Sequence, residues 1–297
     1  MMSVNSSNTA ISMAEAPPAA EVAFPNAKIN LGLQVKGQRS DGFHAIDSLF
    51  IPIPWCDTLE IATARDRKSG CKLHLQGNPV AGSMADNLVQ RAYDALNDQF
   101  DLPATDFHLI KAIPSGAGLG GGSADGTFAL RLINVHFGLN LNTEALEKEA
   151  AKLGSDCPFF VRNVPAHVTG RGEQVHPISL SLDGWHIGLI HPGIHVPTKS
   201  AFQWVSPMDG RPDFSRWNGS SPVDWPGAIR NDFTAPVSEK HPEIKHALQH
   251  LINAGAVFAD MSGSGSTVFG FFRNPPALDL FDACPDSWQT WAGPATL

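Results

Sequence analysis

Residues Ala112–Phe128 read AIPSGAGLGGGSADGTF, and five of the seven residues from Gly116 to Gly122 are glycine. Glycine lacks a Cβ, so successive peptide N–H groups can turn toward one point in space. The preceding FHLIKAIP (107–114) reads as a strand. The following SADGTFALRLINVHFG (123–138) reads as a helix closed by Gly138. Several readings of such a run compete. Gly116, Gly118 and Gly121 satisfy the G-x-G-x-x-G spacing of a dinucleotide fingerprint, but a second helix follows where that motif needs a parallel strand. A Walker A loop ends in Gly-Lys-Ser/Thr, and Gly121-Gly122-Ser123 has no lysine. A phosphate cradle of another kind needs only the glycine N–H groups and the positive end of the next helix, with Ser123 near its first turn. A tight packing loop without a ligand is the remaining possibility.

Composition limits what such a loop serves. The 297-residue chain is 42% hydrophobic and 17% charged, the make-up of a folded protein with one large or two medium domains. Its formal net charge is -8, the wrong sign for a general nucleic-acid binder. An acidic chain that binds an anion needs a local device. No apolar run reaches the roughly 18 residues of a membrane helix. Cys56, Cys71, Cys157 and Cys284 form no C-x-x-C pair, so free thiols of a cytoplasmic protein are expected. Residues 1–22 have no basic residue and no apolar centre, which fits neither a signal nor a transit peptide; a disordered tail is expected there.

From Phe24 the pattern becomes periodic. AKINLGLQV (27–35), AIDSLFIPI (45–53), DTLEIATA (57–64) and CKLHLQG (71–77) read as strands. LVQRAYDALNDQF (88–100), NTEALEKEAAKLG (142–154) and HPEIKHALQHLINAGA (241–256) read as helices, the second capped by Asn142 or Thr143 and closed by Gly154. VFADMSGSGSTVFGFF (257–272) reads as strand and glycine turn, followed by strand or helix. The proline- and tryptophan-rich segment 203–227 reads as a long loop or insertion. Strands and helices alternate irregularly, which indicates α+β with a division near residue 165. His246 and His250 have H-x-x-x-H spacing but no metalloprotease glutamate between them, so an exposed helix face is expected.

IPSGAGLGGGSADG (113–126) resembles the P-x-x-x-G-L-G-G-G-S-[SA]-[DN] nucleotide loop of the GHMP kinase superfamily. AKINLGLQVKGQRSDGFHAIDSLF (27–50), LGSDCPFF (153–160), HPGIHVPT (191–198) and MSGSGSTVFGFF (261–272) resemble motifs of the branch that phosphorylates 4-diphosphocytidyl-2-C-methyl-D-erythritol. The motifs stand in the family's order over roughly residues 24–272. The resemblance implies an ATP- and Mg2+-dependent kinase of the methylerythritol phosphate pathway to isoprenoids, acting on the 2-hydroxyl of that substrate. It implies a two-domain GHMP kinase fold: a ribosomal protein S5 domain 2-like amino-terminal domain over 23–165 and a ferredoxin-like carboxy-terminal domain over 166–297. A small-molecule substrate, no nucleic acid, no membrane and a monomer or weak homodimer are expected. Two other functions compete, a GHMP kinase for a different small alcohol and a non-catalytic nucleotide-binding protein; the Gly42-Phe43-His44 turn and the retained Lys28 and Asp156 argue against them.

By position, Lys28 and Asp156 match the family's catalytic pair, a proton-accepting carboxylate and an orienting ammonium. From spacing alone they would read as a strand-end lysine and a helix-terminal aspartate. Pro114, Ser115, Gly116, Ala117, Gly118, Leu119, Gly120, Gly121, Gly122, Ser123 and Ala124 match the ATP loop, where Gly118 is expected to leave room for phosphate. Asn87 and Lys111 match the adenosine pocket. Asn30, Phe43, His44, Thr198 and Phe202 match substrate positions, with Phe43 and Phe202 expected on the two faces of cytosine and His44 on its edge. The turn Ser262–Ser266 resembles a loop near the substrate phosphates. No carboxylate cluster announces ligands for Mg2+. Phe43 replaces the usual tyrosine, Ala124 a frequent serine, Asn26 separates Pro25 from the Ala27-Lys28 pair, and Lys199 is an unexpected base.

Overall fold

The computed structural model describes residues 20–206, 213–216, 219–276 and 279–297. In chain order the elements are β1 (Glu21–Ala23), β2 (Asn26–Gln38), β3 (His44–Cys56), β4 (Thr58–Thr63), β5 (Cys71–Gly77), α1 (Leu88–Phe100), β6 (Thr105–Lys111), α2 (Gly121–His136), α3 (Thr143–Leu153), α4 (Cys157–Arg162), β7 (Ala166–Thr169), β8 (Gln174–Pro177), β9 (His186–His191), α5 (Thr198–Trp204), α6 (Thr234–Lys240), α7 (Pro242–Asn253), β10 (Phe258–Met261), β11 (Val268–Phe272), α8 (Asp279–Asp282) and β12 (Gln289–Pro294). Local chemistry sets several ends. The Asn87 side chain accepts from Val89 N at 2.9 Å and starts α1, and Asn142 accepts from Ala145 N at 2.9 Å and starts α3. Helix α1 buries Val89, Ala92, Tyr93 and Leu96, one stripe at helical spacing.

Three four-stranded sheets result. The first runs β1-β4-β6-β5 and is covered by α1–α4 through a core that includes Tyr93, Phe107, Phe128 and Phe159. The second runs β2-β3-β7-β8. The third runs β10-β11-β9-β12, all antiparallel. With α5–α7 between β9 and β10, and α8 between β11 and β12, this is the ferredoxin-like arrangement. The second and third sheets share one apolar core, in which Ile29, Leu49 and Ile51 meet Ile187, Leu189, Phe269 and Phe271. Burial of this much apolar surface is the dominant force holding the two halves together.

Three expectations change. Strands β7 and β8 follow residue 165 yet complete the sheet of β2 and β3: Ser48, Leu49 and Phe50 pair with Val168, His167 and Ala166. A cut at 165 would break that ladder, so the sheet boundary falls after Pro177. Segment 203–227, expected as a long loop or insertion, begins in the last turn of α5, and its Phe214 and Trp225 are fully buried in the shared core. Its residues 207–212 and 217–218 lie outside the described residues. Of the tail expected over 1–22, residues 1–19 also lie outside them, while Glu21 and Val22 belong to β1 and pair with Ile61 and Glu60. The four cysteines are free thiols, and burial pushes Cys157 up to about 11.

β1 ties down the amino-terminal side of the first sheet, and the Glu21 carboxylate lies 3.3 Å from His136 of α2. A chain beginning at Phe24 should therefore melt below one beginning at Ala20. The lost edge bonds are worth about 1–2 kcal/mol, or roughly 2–6 °C in Tm. Differential scanning calorimetry on the two truncations checks this; equal melting temperatures would show that β1 contributes nothing.

Candidate active site

The glycine loop is held by its few non-glycine residues. Ile113, Ala117 and Leu119 are buried in the core shared by the two halves. Leu119 O accepts from Lys28 N of β2 at 2.9 Å, and Ala117 O accepts from Thr267 N at 3.2 Å. Ser262 Oγ donates to Gly118 O at 2.8 Å and accepts from Asn30 N at 3.1 Å. The loop is thus stitched to β2 on one side and to the Ser262–Ser266 turn on the other. Gly118 has φ +80°, and a Cβ there would sit 2.2 Å from the carbonyl oxygen of Ser262. Its missing side chain serves the contact between two backbones, not room for a phosphate as the sequence suggested. Gly122 is the open position: a Cβ there meets nothing within 4 Å. It sits in the first turn of α2, whose N-cap Gly120 supplies no side-chain cap. The positive end of a 16-residue helix therefore opens on free space with no capping side chain.

Lys28 lies along this end of the helix. Its Cγ and Cε come within 3.0 and 3.1 Å of where a Cβ on Gly120 would stand. Its ammonium is 3.2 Å from Asp156 Oδ2 and donates to Asn30 Oδ1 at 2.6 Å. The Phe50 ring lies 4.4 Å from Nζ. The lysine side chain is 4% exposed and the aspartate 29%, so the pair has a dry side and a wet side. Lys28 and Asn30 share a face because they alternate along β2. Asn30 Nδ2 donates to Ser48 Oγ at 3.0 Å, and Ser48 Oγ donates to Gly32 O at 2.6 Å, which locks the asparagine. Asp156 stands at the N-cap of α4 but does not cap it, which leaves its carboxylate for Lys28.

Phe43, His44, Thr198, Lys199 and Phe202 line one pocket of about 560 Å³. The turn after β2 pushes Phe43 outward: Asp41 Oδ1 accepts from Phe43 N at 3.1 Å, and Arg39 N donates to Phe43 O at 2.7 Å. The Arg171 guanidinium lies 5.2 Å from the Phe43 ring centre. Phe202 differs from expectation. The His44 imidazole stacks on it at 4.4 Å and 12°, and the Phe233 edge meets it at 4.9 Å. The flat partner of Phe202 is therefore His44, which the sequence reading placed at the edge of the base rather than on this ring. Thr198 Oγ1 is 3.1 Å from Ser264 Oγ, which joins the pocket to the Ser262–Ser266 turn.

Asn87 spends its carbonyl on the α1 cap. Lys111 is buried, and its ammonium is paired with Asp57 and with Asp125 Oδ2, the latter at 2.7 Å. Burial opposes the charged ammonium, but the two carboxylates outweigh it and raise its pKa. Burial also pushes Asp125 up, to about 7, against the pull of Lys111. Asp57, Asp125, Ser48 and Asn231 escaped the sequence reading. Asn231 Nδ2 donates to Met261 O and Gly263 O, both at 2.7 Å, and so holds the third glycine turn. Asp260 accepts from Asn231 N and Thr234 Oγ1, yet burial lifts its carboxyl to about 6. Asp125 was visible at the last position of the loop motif. Asp57, Ser48 and Asn231 carry no local signal, because their partners lie far away in sequence. Among the described residues no group of three or more His, Cys, Asp or Glu side chains is placed to hold a metal ion.

Two family models match the chain: the GHMP kinases N terminal domain over residues 87–163 and the GHMP kinases C terminal over 221–288. A 4-diphosphocytidyl-2-C-methyl-D-erythritol kinase of Bacteroides fragilis is 45% identical over 263 residues, covering 88% of this chain and 95% of that protein. A protein of the same name from Parabacteroides distasonis is 43% identical over 266 residues, covering 89% and 97%. Among solved structures, a 4-(cytidine 5'-diphospho)-2C-methyl-D-erythritol kinase aligns with TM-score 0.73 at 29% identity, covering 92% of this chain and 98% of that one. The Methanococcus jannaschii mevalonate kinase shares the fold, with TM-score 0.59 at 12% identity over 92% of this chain and 97% of that one.

The two glycine roles separate by mutation. Gly118→Ala should cost about 1–3 kcal/mol or more, because it combines a positive φ with a backbone clash. Gly122→Ala should leave Tm unchanged or raise stability by at most about 1 kcal/mol. Urea denaturation of both variants checks this; a Gly118→Ala protein as stable as wild type would show that the loop does not pack on Ser262.

Proposed function

The chain belongs to the 4-diphosphocytidyl-2-C-methyl-D-erythritol kinase family of the GHMP kinases, and we propose that it transfers the γ-phosphoryl group of ATP to the 2-hydroxyl of 4-diphosphocytidyl-2-C-methyl-D-erythritol. The observation that carries this reading is the Lys28–Asp156 pair, 3.2 Å apart, lying along Gly120 at the uncapped end of α2. An anion drawn to that helix end has a carboxylate and an ammonium beside it. The 560 Å³ pocket with Phe43, His44 and Phe202 suits an aromatic base. Lys199 on its wall and Arg171 beside Phe43 suit an attached diphosphate.

In this reading Asp156 accepts the proton of the acceptor hydroxyl as its oxygen bonds to phosphorus. The phosphorus–oxygen bond to ADP breaks in the same displacement. Lys28 orients Asp156 through their 3.2 Å contact, and offers its ammonium to the charge that builds on the transferring group. Asn30 fixes Lys28, and Ser48 fixes Asn30. The N–H groups of Gly121, Gly122 and Ser123 take the phosphate oxygens of the bound nucleotide. Asn87 borders the adenosine at the start of α1. Among the described residues no group of three or more His, Cys, Asp or Glu is placed to hold Mg2+, so the nucleotide phosphates would carry it.

Turnover with ATP and the diphosphocytidyl alcohol tests the reading, with mevalonate and homoserine as competing acceptors. The cytidyl substrate should be preferred by orders of magnitude in kcat/KM; equal use of the small alcohols contradicts it. Asp156→Asn should keep wild-type Tm and lose kcat by on the order of 10², the low end for a general base because phosphoryl transfer has a loose transition state. A loss of only a few fold would reduce Asp156 to a partner of Lys28.

A further inference from the structure

We propose that Asp57 is a positioning residue for nucleotide binding, the fixed point of a buried clamp that joins the two ends of the glycine loop through Lys111 and Asp125. The inference rests on the kinase reading above. Asp57 lies between the end of β3 and the start of β4, with its side chain 0% exposed. Its Oδ1 accepts from Ala112 N at 2.6 Å and from Ile113 N at 2.8 Å, the peptides that lead into the loop. Its Oδ2 accepts from Lys111 Nζ. The same ammonium donates to Asp125 Oδ2 at 2.7 Å, on α2 just past the loop. Asp57 N donates to Pro25 O at 2.8 Å, which ties the clamp to the chain leading into β2 and Lys28. The Asp57 side chain thus bonds the two peptides that enter the loop and the Lys111 ammonium.

Buried charges are an expensive way to hold a core, since apolar side chains of similar volume often do as well. What they add is direction. A carboxylate with two peptide N–H groups on one oxygen and an ammonium on the other permits one arrangement of the strand, the loop and the helix. Two carboxylates face one ammonium, so the cluster has a surplus negative charge, and Asp125 Oδ1 has no hydrogen-bond partner. Burial favours a proton on Asp125 near neutral pH, and this keeps the surplus from opposing an anion at the end of α2. None of the three residues lines the aromatic pocket or bonds Lys28 or Asp156. Loosening the clamp should therefore weaken the nucleotide and spare the acceptor.

Asp57→Asn separates these effects. Its carbonyl oxygen still accepts from the two peptides, while its amide turns donors toward Lys111 and unties it. On the full chain, ATP titrated calorimetrically with Mg2+ should bind at least tenfold more weakly than to wild type. KM for the diphosphocytidyl alcohol at saturating ATP should stay within twofold, and kcat within a few fold. Asp125→Asn, which keeps an acceptor for Lys111, should bind ATP within twofold of wild type. Asp125→Ala, which removes that acceptor, should bind it severalfold more weakly; this variant carries the test if Asp57→Asn does not fold. Unchanged ATP affinity in folded Asp57→Asn overturns the clamp. So does a parallel rise in the constants for ATP and acceptor, because general loosening would produce it. A wild-type chain that binds no ATP overturns the kinase reading itself.

Discussion

The site depends on one close approach. Two backbones, at Gly118 and Ser262, meet at a distance that admits no Cβ, and the Ser262 hydroxyl bridges the first to Asn30. Gly118 comes from the amino-terminal half and Ser262 from the turn between β10 and β11 of the carboxy-terminal half. Behind this contact, Ile113, Ala117 and Leu119 are buried with Ile29, Leu189 and Phe269. The glycine loop is therefore not a flap on one domain but part of the seam between two. Its apolar residues point into the seam, and the face at Gly122 remains open. The conformational freedom of the glycines is used twice, first to let the chains touch and then to leave a helix end bare.

Charge follows the same economy. The chain carries a formal net charge of -8, and its cations near the loop are few and committed. Lys28 is held by Asn30 and Asp156, and Lys111 by Asp57 and Asp125. With those ammonium groups engaged, the proposed phosphate donors are the backbone N–H groups at the start of α2, which no side chain caps. Such donors are fixed by the helix, so little reorganisation is needed when an anion arrives. The side chains around them hold geometry. Lys199 lines the aromatic pocket and Arg171 lies over Phe43, where the proposed reading puts the charged and flexible part of a ligand.

Much of this was legible in the sequence, and the failures have a common cause. The thirteen residues of α1 coincide with the periodic segment read as a helix, because an asparagine cap and an apolar stripe are local signals. Strand β5 was equally plain, bounded by Gly70 and ending on Gly77. The division near 165 separates β7 and β8 from their sheet, because these strands are four residues each and join it only through the pairing of β7 with β3, more than a hundred residues earlier. Lys28, Asn30, Asp156 and the aromatic turn were singled out through motif resemblance; periodicity alone gives a lysine on a strand and an aspartate before a short helix. Asp57 stayed hidden because its meaning lies in Lys111 and two peptides some 55 residues on. The role of Gly118 was misread for the same reason, since Ser262 is distant in sequence.

The most direct test of the account is a crystal structure of the full chain with a non-hydrolysable ATP analogue and the diphosphocytidyl alcohol. The account predicts phosphate oxygens on the N–H groups of Gly121–Ser123, the 2-hydroxyl within hydrogen-bond reach of Asp156, and the base in the pocket of Phe43, His44 and Phe202. Phosphates bound away from the start of α2, or a hydroxyl far from Asp156 in a complete complex, would contradict it.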